Sequence, residues 1–186
     1  LEIQRMLEKA GGKRNRFPSK ELFKGKYMTD TAPKKDAIEN AVDWSKLQDR
    51  NGVKYLPNED TPFTGRTERF YENGQKEMEW NYKDGIKEGL STGWYESGQK
   101  AGEANYKDGK NDGLSTSWYK NGEKRIEQTC KDGKTMSAKA WKPNGEKCPV
   151  TNLKDGNGVW VVYDEAGTEW FRDTFKDGLK VERLTP

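Results

Sequence analysis

Apolar positions along this chain fall in short alternating runs of seven to ten residues, separated by glycine-centred dipeptides. One series of dipeptides comprises Asn73-Gly74, Ser97-Gly98, Asn121-Gly122, Asn144-Gly145 and Ala166-Gly167, in steps of 24, 24, 23 and 22 residues. A second comprises Asp84-Gly85, Asp108-Gly109, Asp132-Gly133, Asp155-Gly156 and Asp177-Gly178, in the same steps of 24, 24, 23 and 22. Two series with one irregular spacing define a repeat. Asn-Gly and Asp-Gly accept positive φ at both central positions of a tight hairpin turn, so each run between them predicts one strand. Strands joined in succession by short turns pair antiparallel. In the second unit, Leu90–Glu96 and Gln99–Tyr106 are the predicted strands, and a loop over Lys107–Gly113 leads to the next strand, Leu114–Lys120.

The pattern predicts an all-β fold: an elongated single-sheet antiparallel meander of hairpin repeats, about 22–24 residues each, with a small partly helical N-terminal cap. The meander is assigned to residues 46–186, and residues 1–45 to a basic segment of loop and short helices. Leu1, Ile3, Met6 and Leu7 mark one short helix that Gly11-Gly12 ends; Asp36–Trp44 marks another, with Asp36 as its cap. Ile38, Val42 and Trp44 are placed to cover the first edge of the sheet, as terminal caps of repeat arrays do. A degenerate earlier unit is signalled by Asn51-Gly52 and by Pro62-Phe63-Thr64-Gly65.

Rings follow the same period. Phe70, Trp94, Trp118, Trp141 and Tyr163 share one strand position, and Tyr71, Tyr95 and Tyr119 share the next, hence the opposite face. Small residues such as Ser91, Gly93, Ser115 and Ser117 accompany the tyrosines. The register of Trp80, Tyr82 and Tyr106 on the second strand of each unit stays open, because a one-residue slip exchanges the faces.

Composition explains why rings matter. Hydrophobic residues make up 31% of the chain and charged ones 35%, so seven Trp, eight Tyr and six Phe must carry much of the burial. Residues 1–50 hold twelve Lys/Arg against eight Asp/Glu; the remainder holds 22 against 23. Attraction to polyanions therefore belongs to the N-terminal segment, with Lys9, Lys13, Arg14, Arg16, Lys20, Lys24 and Lys26 as its basic cluster. No run is apolar and long enough for a membrane span or a signal-peptide core, and a start at Leu1 implies residues upstream. These features assign no compartment.

Catalytic constellations are poor. There is no histidine, which removes the commonest general base and zinc ligand, and Cys130 and Cys148 are read as free thiols. Carboxylates Asp84, Asp108, Asp132, Asp155 and Asp177 are turn residues first. Asp108–Gly113 superficially resembles a calcium loop, but it lacks the distal glutamate, and Lys107 and Lys110 would repel the ion. No enzyme activity, cofactor or metal site is expected.

The units Gly89-Leu-Ser-Thr-Gly-Trp-Tyr-Glu-Ser-Gly98 and Asn105-Tyr-Lys-Asp-Gly109 resemble the MORN-repeat variant. Thr61-Pro-Phe-Thr-Gly65 followed by Phe70-Tyr-Glu-Asn-Gly-Gln75 resembles the YwqK-like antitoxin family over roughly residues 46–186. Trp141-Lys142-Pro143, Ala166, and Cys130 in the place of Tyr82 and Tyr106 depart from a uniform repeat. The resemblance implies a non-enzymatic protein-binding scaffold, with neutralisation of a toxin-like partner as one form of it. Candidate aromatic anchors are Phe70, Tyr71, Trp94, Tyr95, Trp118, Tyr119, Trp141 and Tyr163, with Lys100, Glu103 and Glu127 as rim charges. The alternatives are a glycan- or cell-wall-binding module using the ring column, and a membrane-surface tether through the basic segment. Nucleic acid is not an expected partner.

Overall fold

Two kinds of turn build the sheet. In the computed structural model, which describes residues 41–185, each of the five periodic Asp-Gly dipeptides has both residues at positive φ, as at Asp84 (49°) and Gly85 (78°). These are two-residue turns whose twist matches the flanking strands. Lys107 pairs with Lys110, so the loop expected over Lys107–Gly113 is a tight turn followed at once by a strand. The Asn-Gly series behaves differently from expectation. Only the glycine is at positive φ, as at Gly74 (83°). The Tyr71 amide bonds the Gln75 carbonyl at 2.8 Å, and the Gly74 amide bonds the Tyr71 carbonyl at 3.0 Å. That is a three-residue loop with the glycine in a bulge, and the register shifts beside it between Arg69 and Phe70.

The strands are β1 (Val42–Asp43), β2 (Gln48–Arg50), β3 (Val53–Tyr55), β4 (Gly65–Phe70), β5 (Lys76–Lys83), β6 (Ile86–Lys87) and β7 (Gly89–Trp94). They continue with β8 (Lys100–Lys107), β9 (Lys110–Trp118), β10 (Lys124–Lys131), β11 (Lys134–Ala140), β12 (Gly158–Tyr163), β13 (Glu169–Lys176) and β14 (Leu179–Leu184). The large sheet runs β1-β4-β5-β7-β8-β9-β10-β11, with β6 also on β5. Apart from the parallel β1, it is the antiparallel meander that the period predicts.

The last hairpins form a separate three-stranded sheet, β12-β13-β14, a departure from one unbroken ribbon. The cause lies in the fourth unit. Its second strand should return along β11, but Pro149 has no amide to donate there. Cys148 donates to the Ala140 carbonyl at 2.8 Å, and the next bond back to β11 comes from the Ala138 amide to Leu153 at 3.2 Å. Residues 149–152 bulge out between those bonds.

The N-terminal edge also differs from expectation. The described part of the predicted Asp36–Trp44 helix is extended at Val42–Asp43 and runs parallel to β4 (Val42↔Thr67). Only Trp44–Lys46 turn, as a single 3₁₀ turn capped by Asp43, whose Oδ1 accepts from the Ser45 amide at 2.8 Å. Residues 36–40 and the predicted helix at 1–10 lie outside the described residues. Val42 gains ladder pairing that a short free helix could not supply. Asn51-Gly52 closes a small hairpin of β2 and β3 (φ 54° and 84°).

Apolar cores sit at the ends of the sheet. Phe63, Trp80 and Tyr82 are buried beneath Val42, Trp44, Leu47, Leu56 and Met78 at one end. Ala140, Cys148, Val161 and Tyr163, and Ala138, Leu153 and Phe175, close the seam at the other. Between them the repeats are stapled turn to turn. Gly85, Gly109, Gly133 and Gly178 each donate to a carbonyl 22 residues upstream, at 2.7, 3.0, 2.9 and 2.9 Å. The neighbouring aspartate amides donate to Thr64 Oγ1, Glu88 Oε2, Asp112 Oδ2 and Asn157 Oδ1, at 2.8, 2.9, 3.1 and 3.2 Å.

Two glycines at positive φ separate backbone strain from crowding. A Cβ on Gly74 meets nothing within 4 Å, whereas one on Gly156 would lie 2.6 Å from the Gly178 nitrogen. Gly74→Ala should therefore cost about 1–2 kcal/mol, the left-handed penalty alone. Gly156→Ala should cost roughly 3 kcal/mol or more, since the backbone there cannot yield. Urea denaturation of the two variants checks the order.

Candidate functional site

The strand pairing sorts side chains into rows across the sheet, and each row behaves differently. On one face Phe70, Trp94 and Trp118 stand opposite Lys76, Lys100 and Lys124. Each lysine also lies over a ring of the following unit: Lys76 over Trp94 at 5.4 Å, Lys100 over Trp118 at 5.5 Å and Lys124 over Trp141 at 5.3 Å. Such cation–π contacts are each worth roughly 0.5–1 kcal/mol at exposed sites. The next row holds the counter-charges. Lys76 reaches Glu68 (2.6 Å) and Glu79 (2.9 Å), Lys100 reaches Glu103 (2.8 Å), and Lys124 reaches Glu127 (2.7 Å). Burial works against the charge on Lys76, but the two glutamates more than offset it and hold its pKa above the ordinary value. Hydrogen bonds from Lys124 and Lys139 hold the Glu127 carboxyl below its own. The lysines and glutamates of these rows pair with one another.

The tyrosine column joins consecutive repeats. Tyr71 donates its hydroxyl to the Trp94 carbonyl at 2.8 Å, Tyr95 to Trp118 at 2.6 Å, and Tyr119 to Trp141 at 2.7 Å. Tyr119 is fully buried (0% exposed) and Tyr163 nearly so (8%), so neither ring has surface to offer a partner. Tyr163 instead donates to Cys148 Sγ at 3.2 Å. Burial disfavours the thiolate of Cys148, but donors from Thr151 and Tyr163 outweigh it and leave the pKa lowered. Of the eight candidate rings, Trp94, Trp118 and Trp141 are half-buried under lysines, Tyr71 and Tyr95 are half-buried, and Phe70 is exposed.

The register left open by the sequence is settled by β5 and β8. Trp80 pairs with Thr67, Tyr82 with Gly65, and Tyr106 with Gly89. These pairings place the three rings on the face opposite the Glu68–Glu79 row. One row on that face runs Met78–Gly93–Gly102–Ser117–Ile126–Ala140, and another runs Ser91–Ala104–Ser115–Gln128–Ala138. Neither contains a carboxylate. The acidic row Glu79–Thr92–Glu103–Thr116–Glu127 belongs to the opposite face.

These small residues form the floor of a hollow of about 340 Å³, and Met78, Trp80 and Tyr106 line its sides. Ser91 is 6% exposed, yet its Oγ, like Ser117 Oγ, has no hydrogen-bond partner among the described residues. Buried hydroxyls normally find one. Sequence reading saw the small residues beside the tyrosines but missed the groove. Gly102 and Ala104 carried the signal, in a strand whose face was undetermined. No group of three or more His, Cys, Asp or Glu able to hold a metal occurs among the described residues, and none of their helices is long and apolar enough to cross a membrane.

A family model for the MORN repeat variant matches residues 63–84 and 87–108, the first two full hairpin units. The same turn-to-turn bonds continue at Gly133 and Gly178, beyond the matched span. MORN repeats are in general non-catalytic modules that bind proteins or membrane surfaces. A search among curated proteins finds no match.

Removing one staple tests the tyrosine column. Tyr95→Phe should destabilise by about 1 kcal/mol, since the Trp118 carbonyl loses its side-chain donor, and Tyr119→Phe by up to roughly 2 kcal/mol at its buried position. Burial also raises the hydroxyl pKa of Tyr82, Tyr95, Tyr119 and Tyr163 above the ordinary 10.0. The folded state thus keeps protons that the unfolded chain releases near that pH. Its stability is intact below about pH 10 and should fall as pH rises through the folded-state values. Urea midpoints taken from neutral pH to about pH 11 should decline only at the alkaline end.

Proposed function

We propose that the chain is a non-enzymatic protein-binding scaffold whose principal contact surface is the groove between Trp80 and Tyr106. The observation that carries this reading is the contrast between the faces. The ring–lysine–glutamate rows satisfy their own charges, whereas the groove holds a buried, unpartnered Ser91 hydroxyl over a floor without bulky side chains. A surface with aromatic walls and unfilled hydrogen-bonding capacity suits a polypeptide, which brings both apolar side chains and main-chain donors and acceptors. Neutralisation of a partner protein, as in antitoxin or immunity proteins, is the narrower form this reading favours. It draws on the resemblance around Thr61–Gly65 and Phe70–Gln75.

The half-buried Trp94 and Trp118 rings offer a second surface on the other face, and two variants separate them. Ala104→Trp fills the groove without removing any described hydrogen bond. Trp94→Ala combined with Trp118→Ala strips the ring column. In pull-downs from the native host with folded variants, Ala104→Trp should lower partner recovery by about tenfold or more, with the ring-column variant close to wild type. The reverse pattern would move the site to the ring column.

A further inference from the structure

Lys87 stands apart from the ladder lysines. Lys76, Lys100 and Lys124 each combine a ring with a glutamate at 2.6–2.9 Å. Lys87 lies over two rings, Trp80 at 5.1 Å and Tyr106 at 5.2 Å. Among the described residues no carboxylate lies within ion-pair distance of it. Rings attract an ammonium but leave its three donors unfilled. Trp80 and Tyr106 are also the rings that line the groove, so the charge stands at the groove's edge.

An adjoining hollow of about 280 Å³ is lined by Lys54, Tyr82, Lys87 and Tyr106, the last shared with the groove. Tyr82 is only 5% exposed, and its hydroxyl, beside the Trp44 indole, donates to no group among the described residues. Lys54 is held by Asp49 at 2.9 Å, which leaves Lys87 and the Tyr82 hydroxyl among the unfilled donors of this hollow. Burial, and after it the neighbouring Lys54, keeps the Lys87 pKa below its ordinary value. An anion brought to this point would offset both effects.

We infer that the groove accepts an acidic polypeptide segment, its main chain over the Ser91–Ala104–Ser117 floor and one carboxylate on Lys87 and the Tyr82 hydroxyl. The inference rests on the reading of the groove as the protein-binding surface. Charge complementarity sets the ligand class. The two floor rows carry no acidic side chain to repel a carboxylate; Glu79, Glu103 and Glu127 belong to the row of the opposite face, with Glu103 also bordering the hollow, and Glu77 is paired with Arg69. Arg69, the other cation over Trp80, is already paired with Glu77, so Lys87 is the one that selects a carboxylate at a defined place. An anionic lipid surface, by contrast, is held by clusters of exposed cations.

The experiment is selection of random peptides of strand length, roughly ten residues, against the full chain. The recovered peptides are then titrated against variants whose folding is verified by urea denaturation. Peptides enriched in Asp and Glu are expected. Their affinity should fall about tenfold or more in Lys87→Glu and in Lys87→Met, which keeps the packing between the rings, and be largely retained in Lys87→Arg. Ala104→Trp should abolish binding. Binders lost in Ala104→Trp but indifferent to Lys87→Met, or not enriched in acidic residues, would overturn the acidic ligand and leave the groove standing. Binders indifferent to Ala104→Trp would overturn the groove itself.

Discussion

The hydrogen bond from a tyrosine hydroxyl to the main chain of the next repeat is the constraint on which this structure depends. A meander of one sheet has no second layer to press against, and this chain has few aliphatic side chains with which to build one. Each unit must therefore be fastened to its neighbour through groups that recur with the period. The Tyr71–Trp94, Tyr95–Trp118 and Tyr119–Trp141 bonds do this at one end of the strands. The stacked Asp-Gly turns do it at the other. Both are side-chain or turn bonds to backbone, so they fix the spacing of repeats rather than merely adding contact area.

That fastening decides where burial is needed. The central repeats hold together through rows of paired charges and rings, and the apolar clusters appear where the regular pattern stops. At the first edge β1 and Trp44 close over Trp80. At the far end the crossing through Cys148 and Leu153 fills the seam before β12. Interruption and core coincide because a broken ladder exposes backbone groups, and only packed side chains and alternative bonds can cover them. The middle of the sheet is thereby spared bulky residues on one face, and that is where the groove opens.

The two faces divide the work of the repeat. Glutamate, lysine and indole on one face form a self-satisfied lattice that keeps a thin sheet rigid and well solvated. Serine, glycine and alanine on the other keep the floor low, and Trp80, Tyr106 and Lys87 give it walls and one charge. The groove floor itself holds no ion pair for a partner to compete with, which is why we propose the binding role for that face.

Much of this was legible from residues alone. The two glycine series determined the antiparallel pairing of successive strands and the unit length, since tight turns demand positive φ wherever they occur. The alternation of Trp94 with Tyr95 and of Trp118 with Tyr119 determined that the two columns lie on opposite faces. The sequence by itself could not say which face Trp80 and Tyr106 join, because one bulged residue exchanges the faces and the bulges follow from turn geometry. Nor could it show that Tyr119 and Tyr163 are buried, or that residues 149–152 leave the ladder, because each depends on what a neighbouring strand offers to bond. Turn chemistry is local and was written in dipeptides; register, burial and the groove arise from strands meeting across the sheet, and only the tertiary structure decided them.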